Sequence, residues 1–411
     1  MSSGIFFGEK NMKYQYKFML IVAITVLTSL PISAIELQQV AEAMKTKPTI
    51  SLRYRFEGVS QDGIAEDAGA STLLSRFSWK SDTVSKLSVG FEADYVSIIG
   101  SERFNSTNNG KGNYPVVADP EGFDLNQSYI NYAGETVNTT FGRQRINIGS
   151  QRFIGAVGWR QNEQTFDALR THFKAGPKVK VDYAYVWNVN RIFGPDDGAQ
   201  PADWHGDSHL LTVIWPFLEG HSLEGFSYLL DFENDNGLPN STETYGVGYK
   251  GTVGPVKLTA TIASQSDYAD SPLDFDASYY LAQVEVPVGA VSLTAGYEVL
   301  GSDDGVAAFR MPLATLHKFQ GWADKFLGTP ANGIEDVYVG VKGKAGPVAL
   351  AATWHEFESN EGGLDYGSEL NLIATYALNK NLKLQFKFAD YKEKGFATDT
   401  TKFWLSTILK L

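Results

Sequence analysis

The sequence predicts an all-β chain, a transmembrane antiparallel β-barrel of about 18 strands with short periplasmic turns, long extracellular loops and a short helix on one loop. Three observations predict it. Apolar and polar residues alternate with a period of two over stretches of roughly 10 residues. The connections between those stretches fall into a short class and a long class. The composition is rich in glycine and aromatics, with 40 Gly, 25 Phe, 20 Tyr and 8 Trp among 411 residues, and only 20% of residues are charged.

The chain opens on an expected secretory leader. Lys13 and Lys17 precede the apolar run Phe18–Leu27, and Pro31 and the small pair Ser33-Ala34 follow. A positive start, an apolar core and a small-residue end are the marks of a signal peptide, here 1–34. Its apolar run is too short, and too close to Pro31, to favour a single membrane anchor. The segment 35–48 reads as a short periplasmic piece in which Leu37, Val40, Ala41 and Met44 could share one side of a helix ending before Pro48.

From Thr49 the period is two, and the barrel is expected over 49–411. In Ile50–Glu57 the even positions are apolar and the odd ones polar. Leu87, Val89, Phe91, Ala93 and Tyr95 repeat the pattern, as do Val179 to Trp187, Val256 to Ile262 and Leu382 to Phe388. Short connections recur in related form at Gly176-Pro177, Gly254-Pro255, Gly289-Ala290, Gly346-Pro347 and Asn379-Lys380-Asn381, residues that accept tight turns. Longer polar stretches lie near 98–123, 147–163, 190–206, 267–275 and 301–334. An even strand count then leaves both ends in the periplasm. A secreted sandwich or propeller also alternates, but the strand length and the missing blade repeat decide against it.

Composition excludes several functions. A mean hydropathy of −0.19 with one apolar run excludes a polytopic helical membrane protein. The absence of cysteine excludes disulfide scaffolds, thiolate zinc sites and cysteine nucleophiles. A net charge of −12 argues against nucleic acid as a partner. None of the six histidines sits in a nucleophile motif, so no enzyme is expected, and His209 and His355 read as wall residues. No cofactor is expected. The acids Asp196, Asp197, Asp203, Asp207, Asp303 and Asp304 offer calcium a set of carboxylates, though solvated loops are the commoner meaning of such clusters.

The chemistry is an arginine concentration. Six of the eleven arginines fall between 143 and 191: Arg143, Arg145, Arg152, Arg160, Arg170 and Arg191. Lys174, Lys178 and Lys180 join them, against Glu163, Asp167 and Asp182. Guanidinium forks take carboxylates bidentately and stay charged at any relevant pH, so a lane of them suits an acidic solute. Arg53, Arg55 and Arg76 share the polar face of the first hairpin and extend the lane. The alternative is that these arginines pair with lumen acids and brace the wall. Arg143 and Arg145 share register with Phe141, so an inward aim requires a bulge, which Gly142 could supply. In 301–334 the spacing of Leu313, Leu316, Phe319, Trp322 and Phe326 predicts an amphipathic helix. Such a helix would cap or constrict the mouth and offer Trp322, His317 and Lys318 to a sugar; its bland alternative is an apolar face packed on the rim, favoured for Phe319 and Phe326.

Several segments resemble the alginate-export family of outer-membrane barrels. They are Asp62-Gly63 through Arg76-Phe77, Phe141-Gly142-Arg143-Gln144-Arg145-Ile146-Asn147-Ile148-Gly149, Gln151–Gly155, Gly158–Asp167 and Pro312–Leu327. The resemblance implies an eighteen-strand barrel with a basic lumen that conducts an anionic uronate polymer. It departs at the last residue, Leu411, where an aromatic is usual. The resulting expectation is a multi-pass bacterial outer-membrane channel for passive passage of anionic solutes, acidic oligo- or polysaccharides above all. Its partners would be outer-membrane lipid and, during biogenesis, the barrel assembly machinery. Rival expectations are a general diffusion porin, a structural or adhesive barrel plugged by its loops, and a barrel enzyme.

Overall fold

The computed structural model describes residues 37–411; the expected leader 1–34 lies outside the described residues. A seven-residue helix, α1 (Leu37–Ala43), precedes the barrel. It is tied to the wall where Asp82 N–H donates to the Ala43 carbonyl. The barrel then runs through β1 (Thr49–Gln61), β2 (Ala68–Lys80), β3 (Leu87–Arg103), β4 (Gly122–Ala133), β5 (Val137–Gln144) and β6 (Thr165–Ala175). It continues through β7 (Val179–Asn190), β8 (Asp203–Leu218), β9 (His221–Leu230), β10 (Thr242–Val253), β11 (Val256–Asp267) and β12 (Asp276–Val288). The last third is β13 (Val291–Leu300), β14 (Ile334–Ala345), β15 (Val348–Glu358), β16 (Asp365–Ala377), β17 (Leu382–Lys392) and β18 (Thr400–Lys410).

All eighteen strands form one antiparallel sheet in which each strand pairs with its sequence neighbours. β1 also pairs with β18, from Ser51 opposite Lys410 to Gln61 opposite Thr400, which closes the sheet. Closure leaves no edge strand, the requirement for a sheet in lipid. One step beyond that register, Ile50 and Leu411 exchange backbone hydrogen bonds of 3.3 and 2.8 Å, so the non-aromatic terminus is still stitched into the seam.

The two-residue period sorts the faces. Val337, Val339 and Val341 on β14, Leu384 and Phe386 on β17, and Phe403 and Leu405 on β18 stand exposed on the outside, where lipid covers them. Their neighbours Asp336, Lys387, Lys402 and Trp404 are buried inside. Two-residue turns close the short end: Val253 pairs with Val256 around Gly254-Pro255, and Gly254 takes φ +57 as the first central position of such a hairpin requires. The short turns mark the periplasmic end and the long loops the extracellular end.

The expected helix in 301–334 is replaced by irregular chain with a single 3₁₀ turn, Leu316–Lys318. Gln320, Gly321 and Asp324 have φ of +45, +79 and +62, which no right-handed helix accommodates. The apolar i, i+3, i+4 spacing arises because the side chains pack in several directions. Phe326 stacks among Phe357, Tyr366, Tyr391 and Phe396, while Phe319 lies under the Arg152 guanidinium at 4.7 Å. A two-residue hairpin, Ser302–Asp303 with Ala307–Ala308, precedes this stretch.

Candidate functional site

Two loops leave the rim and fold into the lumen. The first, 145–164, joins β5 to β6; the second, 301–333, joins β13 to β14. Their contacts reach strands all round the barrel. Arg53 on β1 donates to the Gly158 carbonyl at 2.8 Å, Arg152 reaches Glu298 on β13 at 2.6 Å, and Ala323 N–H donates to Glu369 on β16 at 2.9 Å. The loops also clasp each other: Gly155 N–H donates to the Leu313 carbonyl at 2.8 Å and Thr315 N–H to the Gln151 carbonyl at 3.0 Å. A Cβ at Gly155 would collide with the Thr315 side chain, so this close approach demands glycine. Ile146, Ile148, Ile154, Phe309, Leu313 and Phe326 join wall residues such as Phe226, Tyr279 and Tyr391 in one apolar cluster inside the barrel. Full burial of each such side chain contributes about 1.5–3 kcal/mol.

Of the nine arginines singled out in the sequence, six touch this insert; Arg143 and Arg170 pair within the wall, and Arg191 follows β7, its guanidinium 3.1 Å from the Pro201 carbonyl and 3.8 Å over the Trp204 ring. Arg76 grips Asp94 bidentately at 2.8 and 2.6 Å and Glu163 at 2.8 Å. Arg145 bonds Glu92 and Glu163. Burial would raise the Glu163 carboxyl, but Arg76 and Arg145 outweigh it and hold the group near 2. Arg160 is buried against Glu57 at 3.0 Å and Asp324 at 3.3 Å. Arg55, 1% exposed, lies 4.2 Å over the Trp159 ring and 3.4 Å from Asp119. Arg53 instead meets Gln161 at 2.8 Å and the Gly158 and Arg160 carbonyls. Arg143 takes Asp167 at 2.8 and 3.0 Å, and Arg170 takes Asp182 at 2.9 and 2.6 Å.

This geometry corrects the lane expected from sequence. Seven of the nine arginines hold carboxylates, while Arg53 and Arg191 hold carbonyls; Arg53, Arg55, Arg76, Arg145, Arg152 and Arg160 fasten the insert to the wall, and Arg143 and Arg170 brace neighbouring strands. The parity problem at 143–145 resolves in an unexpected way. Gly142 has φ +115, and a Cβ there would strike the Ser128 carbonyl, but its pairing runs on without a break. The extra residues fall in neighbouring strands, at Asn126 between β3 and β4 and at Trp187 between β6 and β7. Arg145 lies beyond the end of β5, where strand parity no longer constrains it.

His317 is also corrected. It is buried rather than offered to a solute: Nδ1 lies 2.7 Å from Asp324 and Nε2 2.7 Å from the Lys387 amine. Trp322 is half-buried, its ring 3.8 Å from the same amine. Lys318 is exposed, and its amine donates to the Ser150 carbonyl at 2.9 Å, which ties one loop to the other. The acids weighed for calcium do not converge, and among the described residues no group of three or more carboxylate or imidazole side chains could hold a metal ion. His209 packs beside Tyr185 on the wall, and His355 lies 3.0 Å from Asp336.

A second set of cations joins two lysines expected from sequence, Lys174 and Lys180, with four that the sequence did not single out. Below the insert, the inner face of the periplasmic half carries exposed Lys174, Lys180, Lys250, Lys257 and Lys342, with half-buried Lys383. The acids on this part of the inner wall are Asp182, Glu224 and Glu285. Asp182 is taken by Arg170, and Glu285 is shared by Lys257 at 3.0 Å and Lys342 at 2.7 Å. Lys174 and Lys180 stand opposite each other in register, a like-charge pair without a carboxylate partner among the described residues. They line a cavity of about 450 Å³ with Asn138, Asn147, His172 and two acids, Glu135 and the Arg170-bound Asp182. Parity held the signal: each lysine occupies the polar position between two lipid-facing residues. They are spread over six strands, however, and apart from Lys174 and Lys180 form no local concentration of charge.

The architecture matches solved outer-membrane channels. The barrel superposes on Acinetobacter baumannii OccAB4 with a TM-score of 0.70 and 14% identity, covering 89% of this chain and 97% of that one. For Pseudomonas aeruginosa OccK9 (OpdG) the TM-score is 0.67 at 14% identity, with 90% and 100% covered. For Pseudomonas aeruginosa OpdK, solved with vanillate, it is 0.65 at 12% identity, with 89% and 98% covered. These likenesses show the fold. No curated protein sequence matches the chain. The comparisons support the outer-membrane barrel that the motifs at 141–149 and 312–327 implied, but not the alginate-export family itself. A closed eighteen-strand barrel with a folded-in loop pair agrees with the family model for Gram-negative porins, which matches residues 23–396, and the chain belongs to that family as a multi-pass outer-membrane channel.

Proposed function

We propose that this porin passes small anionic solutes, with sugar acids and short uronate oligomers such as those of alginate as the finer reading. One observation carries it: below the loop insert, exposed lumen lysines outnumber the carboxylates beside them, and Lys174 faces Lys180 with no carboxylate within ion-pair distance of either among the described residues. A low-dielectric passage with surplus fixed cations lowers the barrier for anions and raises it for cations. The long loops carry acids instead, among them Asp196, Asp197, Asp270, Asp274, Asp303 and Asp304, where salt screens them within about 8–10 Å. The insert narrows the lumen, which favours small acids and short oligomers over a long polymer. OpdK, a barrel of the same architecture, was solved with the small carboxylate vanillate, which points the same way. Export begins with removal of the leader near Ala34, and the assembly machinery then inserts the barrel.

The test is the reversal potential across planar bilayers in a salt gradient, with block by a uronate trimer as second readout. The wild type should prefer anions. The Lys174→Gln/Lys180→Gln double variant should lose roughly half of that preference and bind the trimer more weakly. This pair is chosen because its removal strands no buried acid, unlike any change at Arg145 or Arg160. Equal permeability to both ions in the wild type would leave a general diffusion porin. A properly inserted protein without conductance would leave the plugged barrel.

A further inference from the structure

The cation at the centre of the insert is Lys387 on β17, 4% exposed, with no carboxylate within ion-pair distance among the described residues. Its amine lies 3.7 Å from the ring centre of Trp159 and 3.8 Å from that of Trp322, with Trp404 of β18 at 5.1 Å. Trp159 belongs to the first inserted loop and Trp322 to the second, so one ammonium is clamped by both. Its hydrogen bond runs to His317 Nε2 at 2.7 Å. The Asp324 carboxylate, 2.7 Å from Nδ1, can only accept, so the imidazole proton sits on Nδ1 and Nε2 accepts from the Lys387 amine. Asp324 in turn takes Lys402 of β18 at 2.8 Å and Arg160 at 3.3 Å. The Trp159 and His317 rings stack at 4.6 Å with 7° between their planes, which aligns the acceptor.

A packing role alone does not require charge here. Methionine would fill the slot between two indoles without the cost of burying an ammonium. What the charge adds is attraction to two π faces and one imidazole at once, and these come from the two loops. Most ties of the insert are spread along its length, whereas this amine, with the Asp324 carboxylate beside it, joins both loops to the wall at one point. We propose that Lys387 is a latch: its amine holds the paired loops against the barrel wall, and the pore widens when that amine lets go.

The test uses the full-length protein in planar bilayers, with the chain's lack of cysteine exploited for a thiol reporter. Ala156, 3% exposed on the first loop, is changed to cysteine, and its rate of maleimide modification reads loop release. Lys387→Met should at least double single-channel conductance and speed thiol modification tenfold or more. His317→Phe keeps the ring stack but loses the acceptor, and should behave like Lys387→Met. His317→Gln restores an acceptor towards Lys387 and a donor towards Asp324, and should return both readouts to near the wild type. Trp322→Leu loosens one jaw and should fall between, which keeps the proposal testable should Lys387→Met fail to insert. Wild-type conductance and labelling in inserted, heat-modifiable Lys387→Met would overturn it, as would equal behaviour of the Phe and Gln variants at 317. Ion preference is measured separately, so failure here leaves the anion reading untouched.

Discussion

Replacing Arg152 by leucine should be among the costliest single changes in the lumen, and replacing its partner as well should repair much of the damage. The pair runs from Arg152 Nε to Glu298 Oε1 at 2.6 Å, with the two side chains 2% and 4% exposed. At an effective dielectric constant near 20 the attraction at this distance is about 6 kcal/mol, against which stands the desolvation of both ions. The net contribution of the intact pair is therefore small. Breaking it is not. Arg152→Leu leaves Glu298 buried with the Tyr279 hydroxyl at 2.6 Å and the Gln320 amide as its remaining donors, and such an uncompensated charge costs about 3–5 kcal/mol. In Arg152→Leu/Glu298→Leu the stranded charge is gone, and the new leucine inherits the apolar neighbourhood of Phe319. Arg152 Nη1 lacks a hydrogen-bond partner in the native structure, which further narrows the gap between native and double variant. The double variant should recover to within about 1 kcal/mol of wild type. Urea unfolding in detergent micelles, followed by tryptophan fluorescence and heat modifiability, gives the three free energies and the coupling. Equal losses in the single and double variants, within about 0.5 kcal/mol, would refute the reasoning, because the cost would then lie in lost packing rather than in a stranded carboxylate.

Acid should loosen the insert. Burial, with the nearby Lys387 amine, pushes His317 from 6.5 down to about 3, so its contribution is whole above pH 6.5 and is lost as the pH falls towards 3. Conductance and thiol labelling should rise across that window in the wild type and stay flatter in His317→Gln; parallel profiles would argue against His317. Gly142→Ala should cost about 1–3 kcal/mol, since φ +115 strains any side chain and the new methyl meets the Ser128 carbonyl. An unchanged urea midpoint would show that β5 relaxes freely. Val339→Arg, on the 54%-exposed outer face of β14, should destabilise the inserted barrel by up to roughly 2–4 kcal/mol, the cost at the bilayer midplane. A cost near zero would mean that this position lies at the interface rather than within the hydrocarbon.

The wall was legible because lipid and lumen impose opposite demands on adjacent residues. Val337 and Val339 flank Tyr338 with no further information needed, and the Gly-Pro pairs at 254 and 346 announce their turns. The interior was not, because its rules are not periodic. Arg160 and Glu57 are 103 residues apart, and Arg152 and Glu298 are 146 apart, so nothing local ties these arginines to their acids. The arginine cluster marked the right region, and its members follow the alternative stated for them, pairing with acids and carbonyls of the wall and loops. In 313–326 an apolar spacing of three and four arose from side chains that reach different walls, which periodicity alone cannot distinguish from one helical face. Of the lysines below the insert, Lys174 and Lys180 stood out in the sequence, whereas Lys250, Lys257 and Lys342 become neighbours only when the sheet closes.

The hydrogen-bonded seam between Ile50 and Leu411 has a topological consequence. All pairings but one join strands adjacent in sequence, so the wall is a cycle that the covalent chain happens to enter at one point. Nothing in the register distinguishes the β1–β18 junction from its seventeen covalently linked counterparts. The entry point can therefore be moved. Joining 49 to 411 by a short linker and opening the chain at Gly362-Gly363, in the exposed tip between β15 and β16, preserves every rung of the ladder while placing both new ends outside the cell. The seam then forms from strands that were once consecutive, and the old seam becomes an ordinary hairpin. Which junction closes last during insertion would be set by where synthesis starts and stops, not by any feature of the strands that meet there.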